Sequence, residues 1–115
     1  VTDCVLCREV ITTMERSVFK GVVMPESLRE GFARYVVHRI ETGQFLRAVL
    51  ENDLTEAVGR AATVENVLAL PALCGWLYNH APPDCYGSRV KVTAWLLSRR
   101  DDDAEEHATK VRAAL

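Results

Sequence analysis

The chain predicts an all-α fold, a compact bundle of five to seven short helices with no sheet. Three observations carry that prediction. Apolar residues recur at spacings of three and four through most of the length, no stretch alternates apolar and polar residues long enough for a strand, and capping residues and prolines punctuate the periodic segments at short intervals. With 115 residues, 49% hydrophobic and 26% charged, the chain is long enough for one core and too short for two. A single domain over 1–115 follows, divided into a possible N-terminal extension helix (1–23), a core (24–98) and a weakly docked C-terminal helix (99–115).

Each element rests on a local signal. Cys4, Cys7, Ile11, Met14 and Val18 form a narrow stripe on a first helix that Thr2 or Asp3 caps and Gly21 ends. Such a stripe suits packing against this chain's own core or in a homodimer through the N-terminal helix. After Pro25, Leu28, Phe32, Tyr35, Val36 and Ile40 line a second helix, with Arg29, Glu30, Arg34 and Arg39 largely opposite and Gly43 as the stop. Phe45 to Glu51 is nearly all apolar and therefore central. Asp53 with Glu56 is a capping box that restarts a helix through Leu54, Ala57, Val58 and Ala61. Thr63 starts a short turn up to Ala69. A helix follows from Pro71 that buries Leu73, Cys74 and Leu77, because proline suits a first turn and not an interior. Pro82-Pro83-Asp84 breaks the chain, Ser88 caps a helix carrying Val92, Trp95 and Leu96, and Asp103 with Glu106 caps a last helix with a thin apolar edge.

Composition excludes several classes. Fourteen basic against 16 acidic residues give a net charge of −2, too balanced to mark a polyanion-binding surface. Apolar runs are too short to span a membrane, and the lack of a basic start with a long apolar stretch implies a cytoplasmic protein with free thiols. Cys4 and Cys7 have the gap that lets two thiolates share zinc, but Cys74 and Cys85 do not form the second close pair, so no metal is assigned. His80, Asp84 and Cys85 supply the ingredients of nucleophilic catalysis without a glycine elbow, and His38 and His107 read as helix-surface residues; no catalytic residue and no cofactor are assigned. Isolated Gly43 and Gly59 rule out a phosphate loop.

Two surfaces remain. The segment from Trp76 to Trp95 holds four of the eight aromatic residues beside a stiff loop, and Tyr78, Asn79, His80, Asp84 and Tyr86 are the expected partner-binding set. The alternative is a small DNA- or RNA-binding regulator that uses Arg29, Arg34, Arg39 and Arg47.

Phe45-Leu46-x-Ala48-Val49-Leu50-x-Asn52-Asp53-Leu54-x-x-Ala57-x-x-Arg60-Ala61, then Leu77-Tyr78-Asn79-x-Ala81-Pro82 and Cys85-Tyr86-Gly87-Ser88, resemble small uncharacterised helical proteins of bacteriophages and prophages. The resemblance runs from about Pro25 to Leu97. It implies a mobile-element origin and a helical fold. Small phage-borne helical proteins often act by binding and blocking a host machine, anti-CRISPR proteins being one such class, and analogy from that origin gives the expected function, a non-enzymatic module that inhibits or modulates a host protein or complex. The resemblance supplies no catalytic residues.

Overall fold

In the computed structural model, which describes residues 3–115, eight α-helices follow one another and no sheet forms among the described residues. They are α1 (Val5–Glu15), α2 (Glu26–His38), α3 (Gln44–Leu50), α4 (Leu54–Arg60), α5 (Val64–Leu68), α6 (Leu70–His80), α7 (Arg89–Leu97) and α8 (Ala104–Ala114), with 3-10 turns at Pro83–Cys85 and Ser98–Arg100. The number exceeds the expected five to seven because short segments count as separate helices. Asn52, in the left-handed region at φ 63, divides α3 from α4, and Ala69 ends α5 while starting α6.

Local caps form where the sequence places them. The Asp53 carboxylate accepts the Glu56 N–H at 3.1 Å, Thr63 Oγ1 the Asn66 N–H at 3.2 Å, and Ser88 Oγ the Lys91 N–H at 3.2 Å. Each satisfies a donor that the first helical turn leaves without an intrahelical partner, a contribution of about 1 kcal/mol.

Other boundaries differ from expectation for identifiable reasons. Cys4, not Asp3, caps α1, its Sγ accepting the Cys7 N–H at 3.3 Å, and Thr2 lies outside the described residues. The helix ends at Glu15. The expected stop, Gly21, instead serves a tight turn in which Phe19 pairs with Val22 while Lys20 and Gly21 adopt φ 52 and 81. α2 likewise stops at His38, because Arg39 turns left-handed at φ 55 well before Gly43. Asp103 makes no cap bond to Glu106. Its carboxylate faces Arg39, 2.9 Å from Nη2 and 3.2 Å from Nη1.

The core is organised around α2. Phe32, Tyr35 and Val36 are fully buried on it, and the Phe32 ring stacks on Trp76 of α6 at 6.2 Å between centroids. Three side chains that carry polar atoms into this core find partners for them, as burial favours. Tyr35 donates its hydroxyl to the Cys85 carbonyl at 2.8 Å, Trp95 Nε1 donates to the Tyr35 carbonyl at 3.0 Å, and Trp76 Nε1 donates to Thr13 Oγ1 at 2.9 Å. α2 and α3 approach so closely at Gly31 that a Cβ there would lie 2.9 Å from Leu46 Cδ1.

Both terminal helices belong to this core. Leu6, Cys7, Val10 and Met14 of α1 are buried in it, whereas Val18 from the expected stripe is 49% exposed. Cys7 and Met14 of the expected stripe thus face the chain's own core, with Cys4 and Ile11 packed partly against it. α8, expected to dock weakly, inserts Val111 and His107. The His107 Nε2 lies 2.9 Å from the Val36 carbonyl, and its ring lies 4.9 Å from Trp95. His107 is thus an interior residue, not a surface one.

Candidate functional site

Two features are left over once the core is accounted for: an exposed apolar face on α5 and α6, and a convergence of sulfur and nitrogen donors at the start of α1.

The apolar face follows from helical periodicity. Ala69 keeps αR dihedrals, so α5 and α6 continue in nearly the same helical phase. At roughly 100° per residue, Val64, Val67, Leu68, Pro71, Cys74 and Tyr78 then fall within an arc of about 120°. The opposite side is taken by Ala69, Ala72, Leu73, Trp76 and Leu77, all buried. The first six residues are all exposed, with Tyr78 at 83% and Val64 at 69%. Cys74, expected inside, is among them because the core arc of α6 closes on Leu73 and Leu77. No charged side chain occurs from Asn66 to Asn79. Single exposed apolar residues are ordinary, but an aligned, uncharged, aromatic-bearing row is the composition of an interface centre.

The expected partner-binding residues are divided. Tyr78 stands in this face, and Tyr86 is near enough that Tyr78 adds to the upward shift which burial and Cys85 impose on the Tyr86 hydroxyl. Asn79 spends its amide on the Gly75 carbonyl at 2.8 Å. His80 turns the other way, its Nδ1 3.3 Å from the Leu115 carbonyl, and Asp84 pairs with Lys110 at 3.0 Å. His80, Asp84 and Cys85 therefore make no catalytic relay. The Cys85 thiol is fully buried and pushed up to about 12 by desolvation and then by Asp84, which keeps it protonated at neutral pH.

The arginines of the nucleic-acid alternative are similarly divided. Arg39 is buried and held by Asp103, and Arg47 is held by Glu41 and, at 3.0 Å, by Glu51. Arg29 donates to the Met24 carbonyl, and Arg34 is half-buried. Two of the four charges are matched by carboxylates before any phosphate arrives, which lowers by about half the counterion release this set could supply.

The second feature joins residues far apart in sequence. Cys4 caps α1, Cys7 faces inward one turn later, and His38 is the last residue of α2. The Cys4 Sγ lies 3.5 Å from the His38 Nε2, and the ligand atoms of Cys4, Cys7 and His38 all lie within 4.8 Å of one another. Cys7 is fully buried, Cys4 and His38 partly so. Desolvation, then the hydrogen bond from Cys4, push the Cys7 thiol up to about 12, while Arg34 pulls weakly the other way. Sequence spacing pointed to Cys4 and Cys7 but placed His38 on the surface, and no local pattern links it to them across 34 positions.

Comparison with known protein families, with curated proteins and with solved structures finds no match.

Proposed function

We propose that this chain is a non-enzymatic protein-binding module whose docking surface is the α5–α6 face, and that it acts by occupying a surface of another protein. The single observation behind this reading is the uncharged row of Val64, Val67, Leu68, Pro71, Cys74 and Tyr78, exposed along α5 and α6, of which α6 is anchored in the core through Ala72, Leu73, Trp76 and Leu77. A rigid helical face of this kind suits an amphipathic helix or apolar groove of a partner. Leu68 and Tyr78 provide contact area without the desolvation cost of charge. The resemblance to phage-borne proteins adds the direction of effect: the partner is a host protein, inhibited or redirected by being covered.

The reading is tested by placing a photo-crosslinking residue at Tyr78 or Leu68 and, as a control, at exposed Thr109, in cells of a bacterial host. Heterologous adducts of one defined mass from the first two positions and none from Thr109 are expected, the Tyr78 adduct being lost when Val64 and Leu68 are both changed to Glu. Adducts at all three positions, or at none, overturn it. Adducts with the mass of two copies of this chain assign the face to self-association instead.

A further inference from the structure

We propose that Cys4, Cys7 and His38 form a zinc-binding site with one coordination position left to water. The inference goes beyond the docking surface and is independent of it.

The geometry is that of ligands already gathered. Tetrahedral zinc with bonds of about 2.3 Å to sulfur and about 2.0–2.1 Å to nitrogen sets its sulfur and nitrogen ligands roughly 3.5 Å apart. Cys4 Sγ and His38 Nε2 are 3.5 Å apart, and Cys7 Sγ completes the group within 4.8 Å. Three donors from two different helices converge there, so the site does not arise from the two-residue spacing of Cys4 and Cys7 alone. Two thiolates and an imidazole favour zinc over magnesium or calcium, which take oxygen ligands.

The surroundings of Cys4 suit a bound thiolate. The Cys7 backbone N–H already points at Cys4 Sγ at 3.3 Å, a bond that strengthens when the sulfur is ionised and fixes its orientation. On binding, Cys4 and Cys7 each release a proton to solvent and His38 coordinates in its neutral form through Nε2. Among the described residues no further Cys, His, Asp or Glu joins the three. Three protein ligands with an open fourth position are the arrangement in which zinc keeps water or takes an external donor. The metal would tie the start of α1 to the end of α2, where Cys4 and His38 are already in contact.

The test uses the full chain, reduced, stripped with chelator and titrated anaerobically with cobalt(II) and then zinc. The expected result is about one metal per chain, with thiolate-to-cobalt charge transfer, visible bands of tetrahedral intensity, and displacement of cobalt by zinc. X-ray absorption at the zinc edge should show two sulfur neighbours together with nitrogen or oxygen. Loss of a supporting partner alone weakens metal sites roughly 10- to 100-fold, so removing a ligand in Cys4→Ser or His38→Ala should cost more than that. Cys74→Ser should bind like the wild type. Failure of the reduced wild type to take up cobalt or zinc overturns the proposal, as does unchanged affinity in His38→Ala, or binding that follows Cys74. If the variants do not fold, the wild-type absorption data decide: fewer than two sulfur neighbours refutes the site.

Discussion

Truncating Met14 to Ala tests whether the N-terminal helix is part of the domain. Met14 is fully buried, and with Val10 and Cys7 it presents the inner face of α1 to the core. Removing its thioether chain forfeits transfer energy and leaves a cavity in the core, so the cost should fall at roughly 2–5 kcal/mol. For a chain of this length 1 kcal/mol corresponds to roughly 4 °C, giving a drop in Tm of roughly 8–20 °C. The matched control is Val18→Ala, at 49% exposure, which should stay within about 0.5 kcal/mol. Urea unfolding followed by tryptophan fluorescence gives both numbers, and an unchanged m-value confirms that the loss is in the folded state. If Met14→Ala melts within about 2 °C of the wild type, less than 1 kcal/mol on the same scale, α1 is not packed as described and the domain begins near Met24.

Other outcomes follow from the same packing. Thr13→Val removes the acceptor of the Trp76 Nε1 proton and should cost about 1–3 kcal/mol in urea unfolding, since a buried donor is left without a partner. Gly31→Ala should destabilise by about 1–3 kcal/mol, because the new methyl lands 2.9 Å from Leu46 Cδ1; pairing it with Leu46→Ala should recover part of the loss. Burial lowers the His107 pKa below its ordinary 6.5, so this group's stabilisation is complete above about pH 6.5 and is lost as pH falls toward the lower folded value. The Asp103 carboxyl is held below its usual range chiefly by its hydrogen bond from Arg39, so its contribution persists well below that window. His107→Gln should therefore flatten the pH dependence of urea midpoints just below pH 6.5, and an equally steep profile would exclude His107 as its source. Val64→Glu with Leu68→Glu should leave Tm within about 2 °C, because both side chains are exposed.

What the sequence made legible was local. Asp53, Thr63 and Ser88 cap their helices as their spacing requires, because cap and donor lie three residues apart and no distant group competes. Trp76 and Trp95 enter the core as their apolar periodicity implies, and Tyr78 remains outside. The departures at Asp103, His107 and His38 involve distant partners. Asp103 has the spacing of a capping box, yet its carboxylate serves Arg39, 64 positions earlier, and that pairing accompanies the early left-handed stop of α2. A charge-assisted, two-pronged bond to a guanidinium is stronger than a bond to a backbone N–H, so the distant partner prevails. His107 and His38 were placed on surfaces because their own helices give them polar neighbours, and only the assembled fold sets one against Val36 and the other against Cys4.

The α5–α6 face was hidden for a related reason. A run such as Val67-Leu68-Ala69-Leu70-Pro71-Ala72-Leu73 is apolar on every side, so periodicity cannot say which side the core will take. The choice falls to Trp76, the largest fully buried side chain: its ring must reach Phe32 and its Nε1 must reach Thr13. Fixing Trp76 inward turns Leu73 and Leu77 inward with it and leaves Pro71, Cys74 and Tyr78 outward. The outward row is therefore exposed by the demands of the core while remaining as apolar as a core residue set. A surface needed only for solubility would carry Lys or Glu at some of those positions at little cost to folding, since Val64, Leu68 and Tyr78 are each more than half exposed. Uncharged side chains at every one of them are what supports proposing the face as an interface, and they make Tyr78, the most exposed of its large residues, the first contact to examine.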